Sequence, residues 1–472
     1  MALSAMAADD ITYPMTREMH NPLFIDFPSP MYGTDSIGRM YTADASAHVW
    51  NDGRLYVYAS HDLEPPQGCD RMDRYHVFST DDMVNWTDHG EILSSADVKR
   101  QSGWGIEGWM WAPDAAYNPA NGKYYFYFPH VNEPLPWGGH DWRVGVAVSD
   151  HPASDFHTAG YVHGAPSLID PCVFVDDDGQ AYIYNGGGGQ CAGGRLRSDD
   201  WTQLDGEMQP MQGLVDFHEG TWVHKYNGKY YLSHSDNHGS DGNQLRYAMS
   251  DSPLGPWEDK GVYVYATGCG TIHGSIVEYK GQWYALYHVN NPSGRDELRS
   301  VCIDPLEYNA DGTIRPVHNW GTPSGTMPTL PTAGNSLTIN AADYNNGGEH
   351  YAYHKNGGEA PEVATGKSGT YIANVNKGDW MRYSVAATAD GSYDVTFRVI
   401  PRSADATFHL SANGTAVTGK IAFDGTLSDF AEITVANVKI GADVSYLDLR
   451  ADNGSFDILS FTLTPAKQPT NE

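Results

Sequence analysis

Short runs of alternating apolar and polar residues recur along the first two thirds of the chain, and pairs of these runs flank tight turns that contain glycine. Five segments share this pattern: SAHVWNDGRLYVYAS, DAAYNPANGKYYFYF, CVFVDDDGQAYIYNG, TWVHKYNGKYYLSHS and SIVEYKGQWYALYHV. Asp-Gly and Asn-Gly turns between strands rich in Val, Tyr and Trp are strong signals of a β-hairpin. The pattern therefore predicts five hairpins in this part of the chain.

The turn glycines set the spacing of this repeat. They are Gly53, Gly122, Gly179, Gly228 and Gly281, and the gaps between them run from 49 to 69 residues. A further short strand follows the first four copies, in FSTDDMVNW, VAVSDHPASDF, RLRSDDW and YAMSDSPLGPW, and a weaker one follows the fifth in RSVCIDPLEY. Repeated four-stranded sheets of this length predict a five-bladed β-propeller.

A different pattern begins after WGTPSGTMPTLPTAGNS, a stretch whose Pro, Gly, Ser and Thr are typical of a linker. Beyond it, YSVAATADGSYDVTFRVI, ATFHLSANGTAV and FDILSFTLT alternate apolar and polar residues, which predicts a β-sandwich of the jelly-roll type. We therefore expect an all-β chain in five parts: an N-terminal extension at 1–14, the propeller at 15–325, a linker at 326–335, the sandwich at 336–466 and a tail at 467–472.

The amino-acid composition agrees with this organisation and excludes two classes of binding partner. The chain has 472 residues with 51 Gly, 27 Pro and 12% aromatic residues, which favours an all-β fold of two domains. Its 29 Lys and Arg residues stand against 59 Asp and Glu residues, giving a formal net charge of −30. This charge keeps a protein soluble, and it repels nucleic acid and anionic membrane surfaces. Because no apolar run is long enough to span a bilayer, we expect neither nucleic acid nor a membrane as a partner.

Neither the cysteines nor the N-terminus indicates the compartment. The cysteines at positions 69, 172, 191, 269 and 302 show no metal-binding or redox spacing, so we expect them to be mostly free, buried thiols. The opening residues, MALSAMAADD, lack the basic region and the apolar core of a signal peptide. A secreted or periplasmic location therefore has to be inferred from the chemistry.

One ionisable residue precedes each turn glycine by eight or nine positions. These residues are Asp44, Asp114, Asp170, Glu219 and His273. Because the first strand of each propeller blade lines the central axis, we expect the five side chains to converge on one face of it. A local role in a turn is the alternative, and it explains Asp114 best because Pro113 precedes it. It explains the whole set poorly, since Glu and His replace Asp while the spacing is kept.

Converging carboxylates suit the hydrolysis of a glycosidic bond. That reaction needs one protonated carboxyl group to assist the leaving oxygen and one ionised carboxylate to activate water or attack the sugar. Crowded negative charges raise the pKa of one carboxyl group and leave another low, so both forms coexist near neutral pH. The set therefore predicts a glycoside hydrolase.

The segments around these residues resemble glycoside hydrolase family 43 over residues 15–325. The likeness is carried by YTADASAHVW, WAPDAAYN, SLIDPCVFVDDDG, DFHEGTWVHKYNGKYYLSHS and IHGSIVEYKGQWYALYH. It implies that Asp44 is the general base, that Asp170 tunes the acid and orients the sugar, and that Glu219 is the general acid. It also implies inversion at the anomeric carbon, with a carboxyl separation of about 6.5–9.5 Å. Ala45 follows Asp44 where the family usually has Pro.

Four further residues are candidates for binding. Trp111 is expected to stack on the sugar ring, because the C–H faces of a sugar pack well on indole. Asp114 and Arg299 are candidate substrate contacts, with a salt bridge as the alternative for Arg299. His273 resembles the axial histidine that lies by Ca²⁺ or another ion in the propeller channel of the family; the alternative is a core histidine. We expect no organic cofactor.

The second region resembles a family 6 carbohydrate-binding module in the order AADYNNGG, GDWMRYSV, SYDVTFRV and SFDILSFTL. Three positions depart from that family: Ala342 replaces an early Glu, Asp457 stands where a ligand-contacting Asn is usual, and Phe430 is the candidate loop aromatic. The resemblance therefore implies either a remodelled sugar cleft or a module that only supports the propeller.

Together these features predict an inverting hydrolase that releases α-L-arabinofuranose from arabinoxylan or arabinan, a plant cell-wall polysaccharide. The stretch from Ser94 to Trp111 and the loop from Glu133 to Trp142 are long enough to wall off a pocket, which favours action at chain ends or side chains. A β-xylosidase and an endo-arabinanase remain alternatives because they use the same three carboxylates. A non-catalytic carbohydrate-binding propeller is the alternative from another class.

Overall fold

The computed structural model divides the chain into two compact units, 1–317 and 318–472. It describes residues 12–19, 21–29, 39–63, 67–136, 138–237, 242–290, 292–317, 328–345, 352–356, 360–423, 425–442, 444 and 446–466. Almost all regular structure in these residues is β-strand, which confirms the all-β prediction. The domain bounds given above stay predictions, and Leu330, placed in the predicted linker, is buried in the core of the second unit.

Five consecutive antiparallel sheets make up the first unit. The first sheet contains β1 (Met15–Glu18), β2 (Thr42–Val49), β3 (Leu55–His61), β4 (Arg74–Thr80) and β5 (Asn85–Ser94). The second contains β6 (Asp114–Asn118), β7 (Lys123–Pro134), β8 (His140–Ser149) and β9 (His157–Tyr161), and the third contains β10 (Ile169–Val175), β11 (Ala181–Gly187), β12 (Gln190–Leu196) and β13 (Leu204–Pro210). The fourth contains β14 (Glu219–Tyr226), β15 (Lys229–Ser235), β16 (Leu245–Ser250) and β17 (Glu258–Val264), and the fifth contains β18 (Ser275–Tyr279), β19 (Gln282–Val289) and β20 (Ser300–Leu306).

The first strands of the hairpins contact one another in cyclic order. β2 contacts β6, β6 contacts β10, β10 contacts β14, β14 contacts β18, and β18 contacts β2 again. Apolar clusters fill the spaces between sheets: Phe78 of the first sheet packs with Leu286 of the fifth, and Tyr58 packs with Phe126 of the second. These contacts are the ones that a five-bladed propeller requires.

Buried tyrosines on the second strand of four sheets tie each sheet to the next. Their hydroxyl groups donate to backbone carbonyls of the following sheet's outer turn: Tyr58 to Pro152 at 2.6 Å, Tyr127 to Trp201 at 2.8 Å, Tyr184 to Pro253 at 2.5 Å and Tyr231 to Gly312 at 2.7 Å. A buried hydroxyl needs a partner, so each bond fixes the spacing between two neighbouring sheets.

A helix lies in the first of the two segments predicted to form walls. α1 (Ser95–Ser102) follows β5, and Ser94 and Asp97 form a capping box at its N-terminus. Gly103 ends the helix in the left-handed conformation, with φ 79°, where a residue without Cβ is favoured. The sequence predicted the length of this segment but not the helix.

The second unit contains two six-stranded antiparallel sheets, as the sandwich prediction requires. One contains β21 (Leu337–Asn340), β23 (Glu362–Gly366), β24 (Gly369–Asn376), β26 (Gly391–Pro401), β30 (Ala431–Ile440) and β32 (Ser455–Pro465); the other contains β22 (Tyr353–His354), β25 (Trp380–Ser384), β27 (Thr407–Ala412), β28 (Thr415–Ala416), β29 (Ile421–Ala422) and β31 (Tyr446–Asn453). Phe397 and Phe461 from the first sheet pack with Phe408 and Leu449 from the second, both in one core. In the described part of the chain, no helix has the length and apolarity needed to cross a membrane.

Candidate active site

A pocket of about 520 Å³, including its mouth, opens on the first unit. Six of the seven predicted site residues line it: Asp44, Trp111, Asp170, Glu219, His273 and Arg299. Its other lining residues are Cys69, Asp70, Met72, Ala112, Ile169, Thr271 and Ile272. Within this pocket, acidic groups face an arginine across a partly apolar wall.

β-Bulges place two of the carboxylates. Asp44 and Ala45 stand opposite the single residue Ala59, because β2 and β3 pair Ala43 with Ser60 and Ser46 with Tyr58. The third sheet repeats this arrangement at Asp170. Both aspartates have positive φ, 55° and 49°, a conformation that Asp tolerates better than most residues. Bulges re-aim side chains next to functional sites, as they do here.

Glu219 reaches the pocket by a different register. The fourth sheet has its bulge at Gly220, with φ 75°, so Gly220 occupies the position that corresponds to Asp44, and Glu219 precedes it. Counting from the turn glycines placed Glu219 in the same register as Asp44. The turn lengths explain the difference, since Tyr226 pairs with Lys229 across two residues whereas Val49 pairs with Leu55 across five.

Asp44 is held as a carboxylate. Arg299 donates to both of its oxygens at 3.1 and 3.2 Å, and Ser60 donates to Oδ2 at 2.5 Å. Burial alone raises the pKa of this carboxyl group, but the charge on Arg299 and the hydrogen bond from Ser60 oppose burial, and the pKa is lowered to about 2. Asp44 is therefore ionised at neutral pH.

A second buried aspartate orients Arg299. Asp62 accepts from Nε at 3.0 Å, from Nη2 at 2.8 Å and from the backbone N–H of Arg299 at 2.7 Å. Thr271 Oγ1 accepts a further bond from Nη1 at 3.2 Å. The predicted alternative for Arg299, a salt bridge, is thus present, and the same residue also lines the pocket. Its guanidinium is fixed between Asp62 and Asp44.

Asp170 and Glu219 form a coupled pair. Burial is the main cause that raises the pKa of Asp170, and the charges of Glu219 and Asp44 add to it. Burial also raises the pKa of Glu219, with Asp44 adding and His218 opposing. The backbone N–H of Gly220 donates to Asp170 Oδ2 at 2.8 Å, which favours the ionised form of Asp170. Both shifts favour a protonated carboxyl group, and the bond from Gly220 opposes this shift at Asp170.

His273 lies beside this pair as a neutral imidazole. Its Nδ1 is 3.8 Å from Asp170 Oδ2, and this buried nitrogen has no hydrogen-bond partner among the described residues. Burial lowers the pKa of His273. Among the residues that the structure describes, no group of three or more His, Cys, Asp or Glu side chains is arranged to hold a metal. These residues do not by themselves form a calcium site, and the calcium ion stays a prediction.

Asp114 is the one predicted site residue that the structure does not bring to the pocket. Its carboxylate accepts from Ser46 Oγ at 2.5 Å and from the backbone N–H of Val173 at 2.6 Å, and it lies 2.7 Å from His48 Nε2. The pairing of β6 with β7 has no bulge, so the backbone there does not turn the side chain as it does at Asp44. Asp114 connects three sheets, and the geometry gives no support to a substrate contact.

Trp111 lies at the wall of the pocket, as predicted, and its indole Nε1–H donates to the carbonyl of Asp70 at 2.8 Å. The sequence did not single out Ser60 or His288. Both lie on second strands of hairpins, and the pairing of Ser60 with Ala43 across β2 and β3 is the signal that would have found the serine. His288 has no comparable signal, because it reaches Asp44 between sheets that adjoin only in the fold. The five cysteines are free and four are buried, which confirms the prediction.

In the second unit, the departures from the binding-module pattern have defined contacts. Asp457 accepts from Arg402 Nε at 2.9 Å and from the backbone N–H of Asn374 at 3.0 Å, and its residue is only 2% exposed. Phe430 packs edge-on against Tyr371, with ring centroids 5.3 Å apart. The carboxylate that stands in place of the usual ligand-contacting Asn is therefore engaged in an internal ion pair.

Comparison with known proteins agrees with both parts. Residues 34–314 match Glycosyl hydrolases family 43, and residues 341–465 match Carbohydrate binding module (family 6). The chain is 37% identical to Xylosidase/arabinosidase 43A of Humicola insolens over 59% of this chain and 97% of that protein. Among solved structures, it is similar to RS223-Beta-xylosidase, with 34% identity and a TM-score of 0.52, covering 59% of this chain and 96% of that one.

Another solved structure is similar over nearly the whole length of this chain. It is the family 43 arabinoxylan arabinofuranohydrolase of Bacillus subtilis, with 25% identity and a TM-score of 0.51, covering 92% of this chain and 98% of that one. The family match extends over more than half of the chain and contains every residue that lines the pocket. The chain belongs to glycosyl hydrolase family 43 and carries a C-terminal family 6 carbohydrate-binding module.

Proposed function

We propose that the protein is an inverting glycoside hydrolase that releases α-L-arabinofuranosyl side chains from arabinoxylan or arabinan. The observation that carries this proposal is that two carboxyl groups in one pocket have pKa values shifted in opposite directions. The pKa of Asp44 is lowered to about 2, whereas the pKa of Glu219 is raised. A base and an acid are thus available at the same pH, as inversion requires.

In the proposed reaction, Asp44 accepts a proton from a water molecule whose oxygen forms a bond with the anomeric carbon. The bond from that carbon to the leaving oxygen breaks, and Glu219 gives its proton to that oxygen. In this step Asp170 is ionised, and its negative charge keeps the pKa of the neighbouring Glu219 raised. Arg299 and Ser60 orient Asp44. Each turnover consumes one water molecule, and the proton taken up by Asp44 returns to Glu219 through solvent.

Two observations support the arabinofuranosyl side chain as the sugar. Three carboxyl groups and the indole of Trp111 line one pocket, an arrangement that suits the binding of a single sugar unit. The similarity to the arabinoxylan arabinofuranohydrolase covers both domains. We propose the plant cell-wall polymer as the partner and a secreted or periplasmic location, because such a polymer does not enter a cell.

A β-xylosidase is the second candidate. The observation in its favour is the identity of 34% to a protein named as a β-xylosidase, which exceeds the 25% identity to the arabinoxylan arabinofuranohydrolase. The three carboxyl groups act in the same way on either pentose.

The assay that distinguishes an arabinofuranosidase from a β-xylosidase uses the purified protein with nitrophenyl α-L-arabinofuranoside, nitrophenyl β-D-xyloside and arabinoxylan. We expect kcat/KM on the arabinofuranoside to exceed that on the xyloside by at least about tenfold, a difference that pocket contacts readily supply. NMR of the first-formed sugar is expected to show the anomer opposite to that of the substrate. A preference for the xyloside would contradict the choice of sugar, and retained configuration would contradict inversion.

A further inference from the structure

All five N–H groups of the Arg299 guanidinium have acceptors within the protein. Nε and one N–H of Nη2 donate to the carboxylate of Asp62, at 3.0 and 2.8 Å. The other N–H of Nη2 and one N–H of Nη1 donate to the carboxylate of Asp44, at 3.2 and 3.1 Å. The last N–H of Nη1 donates to Thr271 Oγ1 at 3.2 Å. Because a guanidinium has five N–H donors and no acceptor, Arg299 has no donor left for a ligand in the pocket.

The hydroxyl of Thr271 accepts one of these bonds and still has its own hydrogen to donate. That hydrogen does not point at Arg299, because the guanidinium offers no acceptor. Among the residues that the structure describes, the bond from Arg299 is the only hydrogen bond of this hydroxyl. Thr271 lines the pocket and is partly exposed there. Its hydroxyl is therefore a donor that a ligand in the pocket reaches.

The position of Thr271 is fixed by a neutral histidine. His288 Nε2–H donates to the backbone carbonyl of Thr271 at 2.8 Å, and His288 Nδ1 accepts from the backbone N–H of Asp44 at 3.3 Å. Burial lowers the pKa of His288 to about 3, so the ring keeps one donor and one acceptor nitrogen, as these two bonds require. Since Nη1 of Arg299 donates to both groups, the Thr271 hydroxyl and the Asp44 carboxylate are neighbours on the pocket wall.

The alternative is that the Thr271 hydroxyl only orients Arg299. Four bonds to two carboxylates already hold the guanidinium, and a fifth bond to a hydroxyl adds little to them. Orientation also needs only the lone pair of Oγ1 and leaves the hydrogen unused. A hydroxyl that accepts from a charged donor is polarised and becomes a stronger donor itself. Both points favour a bond from Thr271 to a ligand.

We propose that the Thr271 hydroxyl donates a hydrogen bond to a hydroxyl oxygen of the sugar bound beside Asp44, and that Arg299 makes no direct bond with that sugar. The inference rests on the proposed function and names a residue that selects its substrate. It moves the sugar contact expected of Arg299 from the sequence to a neutral side chain. A site built to bond a substrate hydroxyl rejects an analogue that lacks it, because the buried donor is then left unpaired.

The test uses Thr271→Val, which removes the hydroxyl and keeps the shape of the side chain. The substrates are nitrophenyl α-L-arabinofuranoside and its 2-deoxy, 3-deoxy and 5-deoxy analogues, each of which lacks one sugar hydroxyl. We expect kcat/KM on the parent glycoside to fall at least about fivefold in the variant, the effect of one neutral hydrogen bond. On the one analogue that lacks the contacted hydroxyl, we expect the variant and the wild type to agree within about twofold.

Two further variants complete the test. Thr271→Ser keeps the hydroxyl, and we expect it to recover most of the activity that Thr271→Val loses. Thr202→Val is the matched control for the substitution, because Thr202 does not line the pocket and its hydroxyl donates to Asp200 at 2.7 Å. An equal loss on all four glycosides in Thr271→Val would overturn the proposal, since Thr271 would then act only through Arg299. A Thr271→Ser variant as impaired as Thr271→Val would overturn it too.

Calorimetric titration with methyl α-L-arabinofuranoside and methyl β-D-xyloside keeps the test independent of turnover. We expect the wild type to bind at least one of these glycosides at least about fivefold more tightly than Thr271→Val does. If neither nitrophenyl glycoside is hydrolysed but this difference is present, the proposed function fails and the role of Thr271 stands. Equal binding of both methyl glycosides by the two proteins, or no binding by either, overturns the role of Thr271 alone.

Discussion

At the scale of single residues, the ionisation of Asp44 depends on one cation. Arg299 donates to both carboxylate oxygens and is itself fixed by Asp62. Its charge opposes the effect of burial and brings the pKa of Asp44 to about 2. The proposed general base is therefore kept ionised by a buried ion pair whose geometry is fixed by Asp62.

Replacing this cation tests that dependence. In Arg299→Gln we expect the pKa of Asp44 to rise to about 4 or higher, because burial then acts without a counter-charge. The acidic limb of the pH profile of kcat/KM moves to higher pH, and activity at its optimum falls about a hundredfold as the base loses its orientation. Arg246→Gln, which breaks an ion pair with Asp259 outside the pocket, is the control. An acidic limb that stays in place in Arg299→Gln would contradict this role.

The residue scale also shows the reach of sequence reasoning. Asp44 and Asp170 occupy equivalent positions of the repeat and meet at the axis, whereas Glu219 lies one residue before the equivalent position although the count from the glycines groups it with them. Asp114 has nearly the same spacing from its turn glycine, yet the pairing of β6 with β7 lacks the bulge. Its carboxylate therefore forms hydrogen bonds with neighbouring sheets instead of facing the pocket. A bulge inserts one residue, and no pattern of apolar and polar residues announces it, so side-chain direction at these positions had to come from the structure.

At the scale of elements, the hairpins followed from the sequence while the contacts between sheets did not. Glycine turns and alternating residues specify a hairpin locally. The bonds from Tyr58, Tyr127, Tyr184 and Tyr231 to the next sheet join residues 69 to 94 positions apart. The repeat contains these tyrosines, but their partners become visible only when the sheets lie side by side.

The fifth sheet contains a buried carboxyl group that makes stability depend on pH. Burial raises the pKa of Asp304 in β20 to about 7, and Tyr287, which donates to it, opposes this only partly. Asp in an unfolded chain has a pKa of about 3.9. The native state therefore binds this proton more tightly than the unfolded state does. The contribution of Asp304 to the free energy of unfolding is complete below about pH 4 and is lost as the pH rises through 7.

Asp304→Asn removes this loss because the amide stays neutral. We expect the free energy of unfolding of the variant, relative to that of the wild type, to rise by on the order of 2 kcal/mol from pH 5 to pH 8. Urea unfolding at the two pH values measures the change. A constant difference between the two proteins would show that Asp304 is ionised in the native state at both.

At the scale of the whole molecule, the pocket and the hydrophobic core of the second unit are built from different parts of the chain. All residues that line the pocket fall within 1–317, whereas the core of the second unit is built from residues after 318. The excess of acidic residues extends over a protein whose proposed substrate is neutral, so it serves solubility without opposing binding.

Phe456→Ala tests this separation. Phe456 is fully buried in the second core, and its truncation costs about 3–5 kcal/mol there. We expect calorimetry to show a lower unfolding temperature for the second unit, while kcat/KM on nitrophenyl arabinofuranoside stays within twofold of the wild type. A parallel loss of activity would mean that the pocket depends on the second unit.

The central claim is that Glu219 protonates the leaving oxygen while Asp44 activates water. The most direct test is the rate of Glu219→Gln on two aryl arabinofuranosides, one with a phenol and one with a dinitrophenol leaving group. We predict a loss of at least about a hundredfold on the phenyl glycoside and a much smaller loss on the dinitrophenyl glycoside, which departs without a proton. Asp44→Asn, the matched control, should lose activity on both. Equal losses on the two substrates in Glu219→Gln would contradict the assignment of Glu219 as the acid.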